Sequence, residues 1–193
     1  MSAKPKILAF AGSTRKDSYN NRLVRIAARS AEAAGAEVTI IDLRDFPLPL
    51  FDEDLEHEQG APESATKLKA FLVGHDGFLI SSPEYNSSIS GVLKNAIDWV
   101  SRPVPGETPL IAFQGKVATL MSASPGQLGG LGGLAHVRSI LENIGVIVLP
   151  DQIAIPRAFE AFNEQGALVD PKKQTSIEEL GSELAGFLSK LKA

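Results

Sequence analysis

The sequence predicts a parallel α/β sandwich, one sheet carrying helices on both of its faces. Three observations predict it. Five short apolar runs alternate with stretches whose apolar residues recur at helical spacing, and parallel strands need crossovers that travel over a face of the sheet. The Gly- and Pro-rich stretches fall between a strand and a helix, where loops belong, so none reads as an interdomain linker. The length of 193 residues, with 44% hydrophobic and 22% charged residues, suits one globular domain, expected to span residues 1–193.

The elements follow in order. Lys6–Ala11 (KILAFA) is a continuous apolar run stopping at Gly12-Ser13-Thr14, as a strand buried on both faces should. A polar stretch, 15–21, leads into a helix on which Leu23, Ile26, Ala27, Ala31 and Ala34 share a face, with Gly35 as its stop. Residues 37–41 (EVTII) form a second strand. Residues 44–62 contain three prolines and the acidic cluster 52–58, which reads as a long solvated loop able to act as a lid. Residues 63–75 are helical, burying Ala65, Leu68 and Leu72, and Gly77–Ser81 is the third strand. A polar loop, 82–90, precedes a helix over 91–100 that buries Val92, Leu93, Ala96 and Trp99. On it Lys94 and Asp98 stand four apart and should pair. After a Pro-rich connector, 102–115, come a fourth strand at 116–122, a Gly-rich loop at 123–133 and a helix at 134–144. The fifth strand spans 145–149 and resumes at 152–155 beyond Pro150. A closing helix, 175–191, carries Ile177, Leu180, Leu184 and Leu188 in one stripe.

Composition excludes whole classes. With no cysteine there is no disulfide scaffold, cysteine nucleophile, iron–sulfur cluster or Cys-containing zinc site. A net charge of −4 removes the usual first sign of a nucleic-acid binder. No apolar stretch approaches the ~20 residues of a membrane span, and residues 1–6 lead directly into an apolar run without the h-region and cleavage pattern of a signal peptide, so the expected location is cytoplasmic. His57, His75 and His136 are scattered and read as structural or exposed, not as a metal site or triad. The Walker loop and the Gly-x-Gly-x-x-Gly fingerprint after strand one are both missing, and no Gly-x-Ser-x-Gly surrounds Ser13. A phosphoacceptor receiver needs acidic residues at the end of strand one, which here reads Ala9-Phe10-Ala11-Gly12.

Ligands of open parallel sheets bind beyond the carboxyl ends of the strands. The loops 12–20, 82–90 and 123–133 should meet there, and all three are rich in Gly, Ser and Asn. The first ends at a helix N-terminus, whose free amides and dipole attract an anion. The dipole contributes only about 0.3–1 kcal/mol, so a phosphate monoester needs a cation, and Arg15 is placed to be it. Ser13, Thr14 and Ser18 add hydroxyl donors. Helix capping by Ser18 or Asn20 explains one such residue, but not a whole polar loop with an arginine.

Gly12-Ser13-Thr14-Arg15…Ser18…Asn20, Ser82-Pro83-Glu84-Tyr85-Asn86 and Gly91-Val92-Leu93-Lys94-Asn95-Ala96-Ile97-Asp98-Trp99 together closely resemble the NADPH-dependent FMN reductase family, which includes quinone, azo-dye and chromate reductases. The resemblance covers about residues 6–155. It implies a flavodoxin-like three-layer sandwich with a five-stranded parallel sheet of order 2-1-3-4-5. It also implies noncovalent FMN, NADPH or NADH as electron donor, a small-molecule acceptor (a quinone, azo compound, metal oxyanion or free flavin), and a homodimer or homotetramer. Carried over residue by residue, Ser13, Arg15, Ser18 and Asn20 become the FMN phosphate site, with Thr14 adding a backbone contact. Pro83, Glu84, Tyr85 and Asn86 become the loop beside the isoalloxazine ring. Ser122, Ser124 and Gly126 fall where the third loop approaches the pyrimidine side. The helix opening near Leu134 would present its positive end to that side. This chain departs from the pattern at Ser90, where the family has a small residue or proline, and at Ser87-Ser88 after Asn86. Flavin chemistry resides on the cofactor, and no acid–base dyad is evident. Two other readings compete. An electron carrier of flavodoxin type would lack an equivalent of Arg15 and would oxidise little NADPH. A sensory module would bind FMN without being reduced by either nicotinamide.

Overall fold

In the computed structural model, which describes residues 3–192, five strands form one parallel sheet. Met1, Ser2 and Ala193, the ends of the expected 1–193 domain, lie outside the described residues. The strands are β1 (Lys6–Ala11), β2 (Glu37–Ile40), β3 (Gly77–Ser81), β6 (Val117–Ala123) and β7 (Ile147–Ile155), in the order β2-β1-β3-β6-β7. Counting only these five along the chain, the order is the predicted 2-1-3-4-5. The three central strands are almost wholly buried, with only Lys6 at the start of β1 exposed. That burial is why they read as continuous apolar runs and not as alternating ones.

Successive residues of a strand point to opposite faces, and the core accordingly splits in two. On one face Ile7, Ala9, Leu79, Val117 and Met121 pack under helices α1 (Tyr19–Ala33) and α7 (Pro171–Leu191). On the other, Leu8, Phe10, Phe78, Ile80 and Leu120 pack under α3 (Glu63–Val73), α4 (Gly91–Ser101) and α5 (Leu131–Asn143). Helices α1 and α7 cross at close range. A Cβ at Gly181 of α7 would lie 2.0 Å from the Ala27 carbonyl oxygen of α1.

The structure corrects several element readings. Residues 44–62 are not all loop. Helix α2 (Glu53–Gln59) lies inside them, capped by Asp52, whose side chain accepts from the amides of Asp54 and Leu55. Its acidic first turn is what a helix N-terminus favours, though the same residues suit a solvated loop. Nor is the segment a free lid. Asn95 of α4 accepts from Phe51 N at 2.8 Å and donates to Pro49 O at 2.9 Å, and Trp99 Nε1 donates to the same carbonyl at 2.8 Å. Arg102 then pairs with Glu56 at 2.8 Å. Trp99 is buried, as predicted, and Lys94 pairs with Asp98 at 2.6 Å.

Pro150 does not split the last strand. β7 is continuous and lies at the sheet edge, with a register shift against Ala118 and Leu120 of β6 that absorbs the proline. Arg138 of α5 fastens this bulge, donating to the carbonyls of Val148, Leu149 and Pro150 and to Gln152. The polar loop 82–90 folds as a small antiparallel hairpin, β4 (Glu84–Tyr85) with β5 (Ser88–Ile89). Its turn residues Asn86 and Ser87 have φ of 51° and 61°, the positive values a two-residue type I′ turn requires. Helix α5 starts at Leu131, three residues earlier than expected, and α7 starts at Pro171, where Asp170 caps it. A short helix, α6 (Ala158–Ala161), follows β7.

Candidate functional site

Parallel register places the carboxyl ends of β1, β3 and β6 side by side, with Ala11 paired to Ser81 and Ser81 to Met121. The loops leaving these ends therefore meet. Gly12 N donates to Ser81 O at 2.9 Å, and Ser82 N donates to Met121 O at 2.8 Å. Gly12 turns against α4 so closely that a Cβ there would lie 2.9 Å from the Leu93 side chain. Ser90, the departure from the family pattern, fastens the same junction. Its hydroxyl donates to Gly12 O at 2.5 Å and accepts from Leu93 N at 3.2 Å, capping α4.

One buried amide ties the three loops together. Asn20 Oδ1 accepts from Ala123 N at 2.9 Å and from the Ser81 hydroxyl at 2.8 Å, and its Nδ2 donates to Ala123 O at 2.8 Å. Around it lies a hollow of about 160 Å³. Ser13, Arg15, Ser18 and Asn20 line it from the first loop, Pro83, Glu84 and Tyr85 from the second, and Ser124 from the third, with Tyr19, Ala123 and Pro125 completing the wall. Ser13 and Ser18 are buried, and Ser18 caps α1 by accepting from Asn21 N. Arg15 is exposed, with its guanidinium 6.0 Å from the centre of the Tyr19 ring, and no carboxylate pairs with it among the described residues. Tyr85, 54% exposed, stands at the rim.

The other four predicted residues stand apart from this wall. Thr14 lines a neighbouring hollow of about 250 Å³, and its carbonyl accepts from Arg44 Nε at 3.1 Å. Asn86 sits exposed at the hairpin turn. Ser122 is fully buried beneath Gly130, and its hydroxyl has no hydrogen-bond partner among the described residues. The Gly126 carbonyl accepts from the amides of Gly129 and Arg157, shaping the third loop. The positive end of α5, expected to face a ligand, is met within the chain by Glu84, whose Oε2 accepts from Gly133 N at 2.7 Å.

A larger hollow, of about 820 Å³, lies between α2, α3 and the segment after α4, and shares no residue with these loops. Its charged side chains are paired with one another, Lys69 with Glu107 and Arg102 with Glu56. No cluster of His, Cys, Asp or Glu able to hold a metal occurs among the described residues, and none of their helices is long and apolar enough to cross a membrane.

The lining of this three-loop hollow has the chemistry a flavin nucleotide's phosphate needs. Two buried hydroxyls, the first turn of α1 and a guanidinium with no carboxylate partner among the described residues surround a space sized for a phosphoester. Pockets that enclose a whole ligand measure about 300–1,000 Å³, so the rest of the nucleotide would extend along the open rim. The sheet order and the loops at its carboxyl edge thus define the flavodoxin-like class, built to hold a flavin mononucleotide.

The profile of the NADPH-dependent FMN reductase family matches residues 5–160. An NAD(P)H-dependent FMN reductase of Pseudomonas aeruginosa is 34% identical over 180 residues, covering 93% of this chain and 92% of that protein. A quinone reductase of Escherichia coli is 32% identical, covering 97% and 95%. The solved flavoenzyme NAD(P)H:acceptor oxidoreductase FerB of Paracoccus denitrificans superposes with a TM-score of 0.79 at 30% identity, covering 96% and 98%. The chain belongs to the NADPH-dependent FMN reductase family, an oxidoreductase family using FMN with NADPH or NADH.

Proposed function

We propose that this chain reduces small-molecule acceptors by two electrons at a time, quinones first among them, with NADPH or NADH as donor. The observation that carries the reading is the Asn20 junction, which gathers three loops around a phosphate-sized hollow with one unpaired cation, Arg15, at its mouth. FMN, when bound, supplies the chemistry, taking hydride from a nicotinamide and passing two electrons to the acceptor.

The chain's own residues bind and orient. Arg15 and the first-turn amides of α1 hold the phosphate, helped by the Ser13 and Ser18 hydroxyls. Asn20 fixes the spacing of the loops. Pro83 and Tyr85 bound the rim, and the open rim admits donor and acceptor in turn. Thr14, Asn86, Ser122, Ser124 and Gly126 shape the loops around this hollow. The acceptor range extends to azo compounds, metal oxyanions and free flavin, because an open rim selects weakly by shape. A homodimer or homotetramer is the proposed assembly, to be tested by light scattering.

The test is an anaerobic titration of FMN-reconstituted protein. Loss of the flavin band near ~450 nm on adding NADPH or NADH, and its return on adding a quinone, supports the reading. Bound FMN that neither nicotinamide reduces would point to a carrier or sensor, and failure to bind FMN would sink the proposal.

A further inference from the structure

We infer that Glu84 is a positioning residue, whose carboxylate caps α5 and so locks the β4–β5 hairpin, with Pro83 and Tyr85, onto the rim of the flavin site. The functional part of this inference rests on the FMN reading above.

A helix leaves its first amides without intrahelical acceptors. At α5 the cap position is Gly130, which has no side chain to offer. Glu84 supplies the acceptor from another element. Its Oε2 lies 2.7 Å from Gly133 N, the short distance of a charge-assisted bond, and its negative charge faces the positive end of the helix. The glycines allow the approach. A Cβ at Gly132 would lie 3.1 Å from Glu84 Oε2, and one at Gly133 would lie 3.3 Å from both Glu84 Cβ and Ser88 O. Gly130, Gly132 and Gly133 are therefore a seat for the hairpin.

The hairpin needs that seat. Each strand has two residues, and both turn residues adopt positive φ without being glycine. A two-stranded ribbon is at best marginal alone in water. His136 Nδ1, 2.9 Å from Ser88 Oγ, provides a second tie from α5. Glu84 thus acts on the site through Gly133 and the hairpin backbone.

The test compares wild type, Glu84→Gln and Glu84→Ala, first as apoproteins by amide hydrogen exchange and then by FMN titration. Glu84→Ala should speed exchange at Gly133 and at amides 85–89 about tenfold, the loss expected for one cap bond, and should raise the FMN Kd by a similar factor. Glu84→Gln keeps an acceptor oxygen and should stay within about threefold of wild type in both. Should Glu84→Ala not be recovered folded, Glu84→Asp, one methylene too short to reach Gly133, takes its place. Unchanged protection in the apoprotein would overturn the inference, whatever happens to FMN affinity, because Glu84 would then act as a direct ligand or not at all. Protection that falls as expected in a protein whose wild type binds no FMN would leave the cap standing and remove the flavin reading alone.

Discussion

Asn20 makes three buried hydrogen bonds with one carboxamide, to partners 61 and 103 residues away in sequence. Removing it strands the Ala123 amide and carbonyl and the Ser81 hydroxyl. A buried polar group left unpaired costs about 1–3 kcal/mol, so Asn20→Ala should lose about 3 kcal/mol of apoprotein stability, read by urea denaturation. Arg15 behaves oppositely. It is exposed and has no carboxylate partner among the described residues, so Arg15→Ala should leave stability within about 0.5 kcal/mol. The FMN Kd should nevertheless rise about tenfold or more, because a hydrogen bond to a charged group is worth about 1.5–3 kcal/mol. Both residues were legible in the sequence as members of a polar loop before a helix. What separates their roles was not, because the partners of Asn20 lie in loops that only the parallel register brings together. Ser90 was visible as a departure from the family pattern, but its bond to Gly12 depends on how α4 meets the end of β1.

The buried strands were the most legible elements, since a strand covered on both faces announces itself as an unbroken apolar run. Helix α2 was hidden because the acidic residues of 52–58 suit equally a solvated loop and a helix's first turn. What holds it is tertiary: Asn95 and Trp99 grip the chain at Pro49 and Phe51. Asn95→Ala should therefore increase proteolytic cutting within 46–60 while Trp99 still holds Pro49, a difference that limited digestion followed by mass spectrometry would detect. The α1–α7 crossing makes a sharper case. With backbone of α1 only 2.0 Å from an added Cβ at position 181, Gly181→Ala must push the two helices apart. The expected loss is about 1–3 kcal/mol, of the size seen when a packed core is overfilled, measured as a lowered urea midpoint.

At the scale of the whole molecule, Asp76 joins distant parts of the chain at the amino ends of the central strands, opposite the site. Its Oδ2 accepts from Lys6 N at 2.7 Å and meets Lys192 Nζ at 2.5 Å. Partial burial raises its pKa. The Lys192 hydrogen bond, the Lys6 amide and the charges of Lys192 and Lys116 together outweigh that, and hold it below the ordinary 3.8. A depressed folded pKa means stability that is present above about 3.8 and lost as the pH falls through the lower, folded value. Asp76→Asn should accordingly be less stable than wild type at pH 7, with the difference closing below pH ~3.8. Parallel denaturation curves across that range check it; a gap that stays constant would show that charge is not the cause.

The crossing of α1 by α7 also bears on how the protein is made. The apolar face of α1, with Leu23, Ala27 and Ala31, is covered by Ile177, Leu180 and Leu184, residues that leave the ribosome only after the segment between Ala33 and Pro171 has been synthesised. At about 5–20 residues per second that interval is on the order of 10 s. Throughout it the nascent chain carries an uncovered, adhesive surface, and its dependence on chaperones should be greatest just before the final helix emerges.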